Sequence, residues 1–423
     1  MKEKFLHYIW KYNLFSIDNL QSSSNESLVI VKNGYYNNNS GPDFLNAQLK
    51  IDDQYWFGNI EIHVKSSDWY VHNHEVDSNY DAVILHVVWE HDVDVFMKNN
   101  KPIPTLILKN LVDKNLIKNY KNLLSVQPRW IPCQHQIHAV NSFIFSNWKE
   151  RLFFERLAHK SNTINSLLNA SNSNYEAVLF QLLAKNFGLK VNGEVFLQLA
   201  KSIDFSIIQK EQFDPQKLSA LFFGQAGFFE DDLQSEYFLL LKKEYAFLKH
   251  KYNLHSIANK RFSFFRMRPT NFPTIRIAQL VALFSNQQNF FSKLITLEKL
   301  DDFYTLFSVE VNTFWKTHYT FTNKSKNSTK RLTKSFIDLL LINTIIPLKF
   351  VYQKSRGEVD EQQILRLIQQ IKPEKNTIIL KFSELKINAK NAFETQALLE
   401  LKNNYCAPKR CLDCAIGNAL LRS

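Results

Sequence analysis

Between Trp56 and Val64 the chain alternates strictly. Trp56, Gly58, Ile60, Ile62 and Val64 take one face of an extended strand, and Phe57, Asn59, Glu61 and His63 take the other. Four more runs read as strands: ESLVIVKNG (26–34), DFLNAQLKI (43–51), DAVILHVVW (81–89) and IPTLILK (103–109). IDDQY, residues 51 to 55, has the composition of a hairpin turn. A helix carrying Phe5, Ile9 and Trp10 comes first. Past residue 112 the pattern turns helical. In SNYEAVLFQLLAKNFG, Tyr175, Val178, Leu179, Leu182 and Leu183 share one helical face. Ser173 and Glu176 have capping-box spacing there, and Gly188 can end the helix. The pattern predicts two domains. Residues 1–112 form an α/β domain with a mixed sheet and flanking helices, and residues 113–423 form a larger, mainly α-helical domain.

Composition adds a folded class and a charge. Hydrophobic residues make up 45% of the chain and aromatics 14%, too many for a disordered protein. Lys and Arg number 52 against 40 Asp and Glu, a formal charge of +12 that suits a polyanion partner such as nucleic acid. MKEKFLHYIWKYNLF has no uninterrupted apolar core, and FIDLLLINTIIPLKFVY (336–352) is broken by Asp338, Asn343 and Pro347. The second segment reads as a buried helix, so a cytoplasmic protein without a membrane segment is expected. No GxxxxGK[ST] loop and no GxSxG elbow occurs, which argues against the P-loop NTPases and common serine hydrolases.

The candidate chemistry starts at NSGPDFLNAQLKIDDQYWFGNIEIHVKSSDW, residues 39 to 69. A turn centred near Asp53 places Asp43 roughly opposite His63, and Glu61, His63 and Lys65 project from one strand face. One hairpin thus gathers two carboxylates, the ligands that Mg²⁺ or Mn²⁺ takes while completing its shell with water and phosphate oxygens. Such a cation lowers the pKa of its bound water, and His63 or Lys65 can orient that water. The alternative is an exposed hairpin with ordinary polar residues. With Pro42-Asp43 in GPDF and Glu61-x-His63 in IEIHVK, the segment resembles the PD-(D/E)xK nuclease superfamily. His63 stands at the usual lysine position, and Lys65 lies one strand repeat farther on. The resemblance implies a nuclease-like domain in which Asp43 and Glu61 bind the metal and His63 and Lys65 assist catalysis.

Five of the 12 histidines fall between residues 63 and 91. His72 and His74 lie between strands and are further candidate metal ligands. His86, inside an apolar strand, reads as a core histidine and His91 as a surface one. The cluster is similar to that of the very-short-patch mismatch-repair branch of the same superfamily.

Cys406, Cys411 and Cys414 form a C-x4-C-x2-C pattern in CAPKRCLDC. Thiolates so spaced can wrap Zn²⁺ or an iron–sulfur cluster. Cys133 is the expected fourth ligand, with His135 second and buried reduced thiols as the alternative.

TNKSKNSTKRLTK, residues 322 to 334, carries Lys324, Lys326, Lys330, Arg331 and Lys334 without an acid and is the candidate nucleic-acid loop. Arg261, Arg266, Arg268 and Arg276 alternate with Phe262, Phe264, Phe265 and Phe272, a mixture that more simply builds a core. From FLHYIWK to YCAPKRCLDCAIGNALL the chain also resembles a bacterial family carried under a domain-of-unknown-function label. The expected activity is metal-dependent hydrolysis of DNA or RNA. The alternatives are a non-catalytic nucleic-acid-binding or scaffolding protein with an inactive nuclease fold, and a metal-dependent hydrolase of another substrate.

Overall fold

The computed structural model describes residues 1–124, 129–257 and 262–423. Two compact units emerge: Met1–Trp148 with Lys402–Ser423, and Lys149–Leu401. This division differs from the 1–112 and 113–423 reading. The segment with the three clustered cysteines folds with the N-terminal sheet, because its helix Ala415–Leu421 packs beside α3 (Lys114–Leu123). Asn119 Nδ2 donates to the carbonyls of Leu421 at 3.3 Å and Ser423 at 3.0 Å.

The first unit opens with α1 (Glu3–Lys11), which buries Phe5, Leu6, Ile9 and Trp10 completely. Seven strands follow: β1 (Leu20–Gln21), β2 (Ser27–Lys32), β3 (Tyr35–Tyr36), β4 (Phe44–Ile51), β5 (Gln54–Lys65), β6 (Val83–Glu90) and β7 (Thr105–Ile107). Their order is β1-β2-β4-β5-β6-β7, with β3 paired to β4. Pairing is antiparallel through β5 and parallel from β5 to β7. A parallel pair needs a crossover. Residues 66–82 supply it, with α2 (Asp68–Val71) at its start. Gly58 permits the close return of the chain: a Cβ there would sit 2.4 Å from the Ala82 carbonyl oxygen.

The register between β4 and β5 decides where the acids point. Ile51 pairs with Gln54 and Ala47 with Gly58, but Phe44 pairs with Ile60. Leu45 and Asn46 therefore both face Asn59, a one-residue β-bulge. Asn46 takes a left-handed φ of 57°, and its N–H donates to Asn59 Oδ1 at 3.2 Å. Were the Ala47–Gly58 register to run on through all the residues without a bulge, Asp43 would align with Ile62, and its side chain would leave the sheet on the face opposite Glu61. With the bulge, Asp43 aligns with Glu61, two residues from the His63 partner expected from a turn centred on Asp53.

The second half of β5 is also more buried than an exposed hairpin with ordinary polar residues would be. Ile60 and Ile62 are fully buried on one face, and Glu61 and His63 are nearly so on the other. Trp56 and Phe57, nearer the hairpin tip, are exposed.

The second unit is helical. α4 (Ser142–Ala170) leads into it, and α5 (Tyr175–Phe187) follows the sequence periodicity, but the cap of α5 is Asn174, not Ser173. Asn174 Oδ1 accepts the Ala177 N–H at 3.0 Å, while Glu176 turns away to accept the Phe291 N–H at 3.1 Å. Gly188 ends α5 as its spacing suggests. Among the described residues one helical run, Lys334–Ser355, is long and apolar enough to cross a membrane, and 72% of its apolar stretch is buried. Within that run Leu341–Ile345 adopts a π-helical register, with the Ile346 N–H bonded to the Leu341 carbonyl. This register hands the Ile342 carbonyl to residue 347, a proline without an N–H. Lys160 fills the vacancy, donating to Ile342 O, Asn343 Oδ1 and Gln396 Oε1, each at 3.0 Å.

The basic segment is anchored in this unit. Lys330 is buried, and its ammonium donates to the carbonyls of Trp315 at 2.5 Å and His318 at 2.8 Å and to Ser325 Oγ at 2.8 Å. A side chain so enclosed holds the loop together and presents no surface to a phosphate. Arg331 pairs with Glu310, and Lys334 lies 4.6 Å from the Tyr304 ring centroid. Lys324 and Lys326 are exposed. Arg276 is buried over the Phe336 ring and bonds Asn271 and Gln279, the core role its segment suggested. Arg261 lies outside the described residues.

Candidate metal centre

Three elements converge on the inner face of β5. The strand contributes Glu61 and His63, and the β4 bulge turns Asp43 toward them. The crossover contributes His72, immediately after α2, and His74 beyond it. Trp69 and Tyr80 wall the crossover, with the His74 imidazole stacked on Tyr80 at a centroid distance of 3.7 Å.

Asp43 and Glu61 clasp each other through the backbone. The Asp43 N–H donates to Glu61 Oε2 at 3.1 Å, and Asp43 Oδ2 accepts the Ile62 N–H at 3.0 Å. His7, on α1, places Nε2 3.2 Å from Asp43 Oδ2. The other Glu61 oxygen, Oε1, lies 3.3 Å from His74 Nε2 and 3.6 Å from His63 Nε2. His63 Nε2 lies 3.0 Å from His72 Nδ1. Among the described residues, His63, His72 and His74 bring ligand nitrogens within 4.8 Å of one another. His74 Nε2 is buried, close to the carboxylate but out of line for a hydrogen bond. A nitrogen so placed, with its lone pair toward other donors, is suited to a cation in the shared space.

The electrostatics agree. Burial, and then the charge of Asp43, push Glu61 up to about 9, so it holds a proton at neutral pH. Burial, and then the charges of His86, His74 and His72, push His63 down to about 2. Burial also lowers His74. Neutral imidazole is the ligand form. His7 is the exception. Burial pulls its pKa down, but the adjacent Asp43 carboxylate more than offsets this, and the net shift is upward.

His63 Nδ1 meets the fully buried His86 Nε2 at 2.8 Å. This contact fixes the His63 ring and leaves Nε2 to face the cluster, the outer-shell support that metal-binding imidazoles commonly have. His86 is a core histidine, as its apolar strand indicated, and it also braces His63. His72 is the exposed member, so the cluster opens to solvent on its side.

Lys65 does not join. It ends β5, its side chain is exposed, and its Nζ lies 4.0 Å from Asp92. His91 lies at the surface beside Asp94, 3.1 Å away. His7 carries no motif signal: it sits 36 positions before Asp43 on a different element. Only its place between Leu6 and Tyr8, buried neighbours on an amphipathic helix, marks it as inward-facing.

Residues 3–377 match the family described as "Protein of unknown function (DUF2851)". The chain belongs to this family. The match takes in every member of the cluster from His7 to His86 and stops before Cys406. No curated protein and no solved structure matches the chain.

Proposed function

We propose that the first unit is a metal-dependent nuclease hydrolysing phosphodiester bonds of DNA or RNA. The observation that carries this reading is the convergence of Glu61, His63, His72 and His74 beside Asp43. The donor set is richer in nitrogen than the two carboxylates alone, and it suits Mn²⁺ or Zn²⁺ better than Mg²⁺, which prefers oxygen ligands. The bound cation would supply an ionised water and neutralise charge on the phosphate. Asp43 Oδ2 is committed to Ile62 and His7, so Asp43 would reach the cation through its other oxygen. His7, with its raised pKa, would give its proton to the leaving oxygen as the P–O bond breaks.

The resemblance to the PD-(D/E)xK superfamily supports the reading, since Asp43 opens one strand and Glu61-x-His63 lies on the next. The outer half of β5 supports a nucleic-acid substrate. Tyr55 and Phe57 project from the same strand face as Glu61, and each is about two-thirds exposed. Lys50 pairs across from Tyr55. Exposed rings beside a cation form a stacking platform for single-stranded bases, and Phe57 lies about 13 Å along the strand from Glu61.

The displacement of Lys65 favours a second reading, in which an inactive nuclease fold binds nucleic acid without cutting it. Purified protein incubated with single- and double-stranded DNA and RNA, in Mn²⁺, Zn²⁺ or Mg²⁺, separates the two. The nuclease reading requires cleavage that Glu61→Gln and Asp43→Asn each abolish. Binding without cleavage in any metal selects the second reading.

A further inference from the structure

We propose that a cavity in the second unit binds a guanine nucleotide, either free or as one residue of a single strand. It is separate from the histidine cluster and does not rest on the nuclease reading. It is also separate from Cys133, Cys406, Cys411 and Cys414, which are buried, outside any disulfide and carried by the first unit. The cavity has a volume of about 510 Å³, the size of a small-ligand site. Phe228, Phe264, Phe272 and Phe321 line it, and Asp231 and Asn323 add polar groups. Two segments that stand out in the sequence thus meet at one place. The run that alternates Arg with Phe supplies Phe264 and Phe272, and the basic segment supplies Asn323.

The lining is held from behind. Asn192, buried on the helix Leu189–Lys201, donates through Nδ2 to the Ser263 carbonyl at 2.9 Å and accepts the Ser263 N–H at 2.8 Å, which sets the place of Phe264. Phe264 meets Phe272 with centroids 5.1 Å apart and planes at 77°, and it meets Phe228 at 6.5 Å and 89°. Edge-to-face contacts are a stable aromatic arrangement that leaves ring faces uncovered. Phe264 and Phe272 are only half-buried, so ring surface remains for a ligand. The hairpin that carries Phe321 and Asn323 closes through the Tyr319 N–H, which donates to Asn323 O at 2.8 Å, and Thr320 Oγ1 accepts the Asn323 N–H at 2.9 Å. The enclosed Lys330 ammonium grips the start of this hairpin at the carbonyls of Trp315 and His318. Thr274, buried in the lining, donates to the Tyr319 carbonyl at 2.5 Å and ties the Phe272 side to the hairpin. A site fixed in this way loses little entropy when it binds.

Charges of both signs border the cavity and are not spent on one another. Asp231 lies between Glu230 and Asp232, and all three are exposed. Arg266 and Arg268 follow Phe264, Lys324 and Lys326 follow Asn323, and all four are exposed. Among the described residues no ion pair joins these acids to these bases; the neighbouring Lys316 and Arg331 pair with Glu310 instead. A nucleotide has a part for each group. Its base stacks on the rings, its phosphate meets Lys and Arg, and its hydrogen-bond donors meet the carboxylate. The carboxylate also selects the base. An ionised carboxylate offers acceptors only, and it pairs through both oxygens with two adjacent donors. Guanine presents such a pair, N1–H and N2–H. Adenine and cytosine place an acceptor beside their amino group, and thymine and uracil flank one N–H with two carbonyls.

The test uses the full chain in EDTA, so that no cation at the histidine cluster holds the phosphate. Titration calorimetry with GMP and AMP reads the free nucleotide. Anisotropy of a fluorescent oligothymidylate with one central guanine reads the strand, and displacement by GMP separates this cavity from the exposed rings of β5. GMP should bind about 5- to 100-fold more tightly than AMP, the range of one bidentate base contact. Asp231→Asn, at an exposed position, should remove that preference, because an amide replaces one acceptor with a donor. Phe264→Ala should weaken GMP binding about 5- to 100-fold, with thermal unfolding as the check on its fold. An oligonucleotide that binds more tightly than GMP and is displaced by it makes the ligand a strand. One that binds no more tightly makes it the free nucleotide. The proposal is overturned if neither GMP nor the oligonucleotide binds, or if wild-type protein holds GMP and AMP equally.

Discussion

The Asp43 N–H donates to Glu61 Oε2 across 3.1 Å, so each acid's position is fixed by the other's strand. The single extra residue in β4 makes this possible, and the register itself is therefore open to experiment.

Asn46→Val, which holds a left-handed backbone only under strain, should disfavour the bulge, shift Asp43 toward the Ile62 register and weaken Mn²⁺ binding by about tenfold or more, the scale seen when a supporting group at a metal site is lost. Asn46→Gly, which accepts the observed φ of 57°, should bind metal normally. Asn46→Val should lose about 1–3 kcal/mol of stability. Metal competition against a fluorescent chelator and urea unfolding measure the two effects. Unchanged metal affinity in Asn46→Val would show that the bulge does not position Asp43.

The His63 and His86 pair predicts an effect from a residue that would not touch the cation. His86→Leu should lower metal affinity about 10- to 100-fold while keeping a folded sheet, because His63 loses its brace. Equal affinity in wild type and variant, by the same competition assay, would reduce His86 to a packing residue.

Tyr55→Ala and Phe57→Ala should each weaken binding of a single-stranded oligonucleotide about 5- to 100-fold, the loss expected for one stacked base. Mn²⁺ affinity should not change. Fluorescence anisotropy on Mn²⁺-loaded protein reads the first, and the chelator assay the second. Full oligonucleotide affinity in the double variant would remove this face from substrate binding.

Lys160 gives a pH dependence in the second unit. Burial, then the charge of Arg156, lowers its pKa from 10.5 to about 7, against the opposing charges of Glu374 and Glu400. The folded state therefore holds fewer protons than the unfolded one between these values. Stability should rise with pH from about 7 to 10.5, by on the order of 1–3 kcal/mol, and be lost again on acidification toward 7. Lys160→Met should be less stable throughout and flatter across this window. Chemical denaturation of both proteins at several alkaline pH values checks this, and parallel curves would assign the slope to other groups.

The strands were legible because the runs in 26–34, 43–51, 55–65, 81–89 and 103–109 are rich in apolar and β-branched residues, and 56–64 alternates strictly. The turn at Asp52 and Asp53 was legible from its polarity. The register was not, because Asn46 reads as an ordinary strand residue until its left-handed backbone is seen. His72 and His74 were legible from their density near Glu61. His7 was not, since helix periodicity shows that a residue faces inward but not which strand it meets. Lys330 was misleading for the opposite reason. A lysine among lysines suggests a solvated loop, and only the three-dimensional path of residues 315 to 325 shows the acceptors that enclose it.

The return of residues 402–423 to the first unit has a consequence for biosynthesis. A ribosome emits residues 1–148, then all 253 residues of the second unit, and only then the segment carrying Cys406, Cys411 and Cys414. The sheet can form early, but Asn119 waits for Leu421 and Ser423, and Trp130 for Lys402, until the second unit has been made. The first unit to begin folding is thus also the last to finish. Until the segment from Lys402 arrives, the flank of α3 stays open to chaperones and proteases.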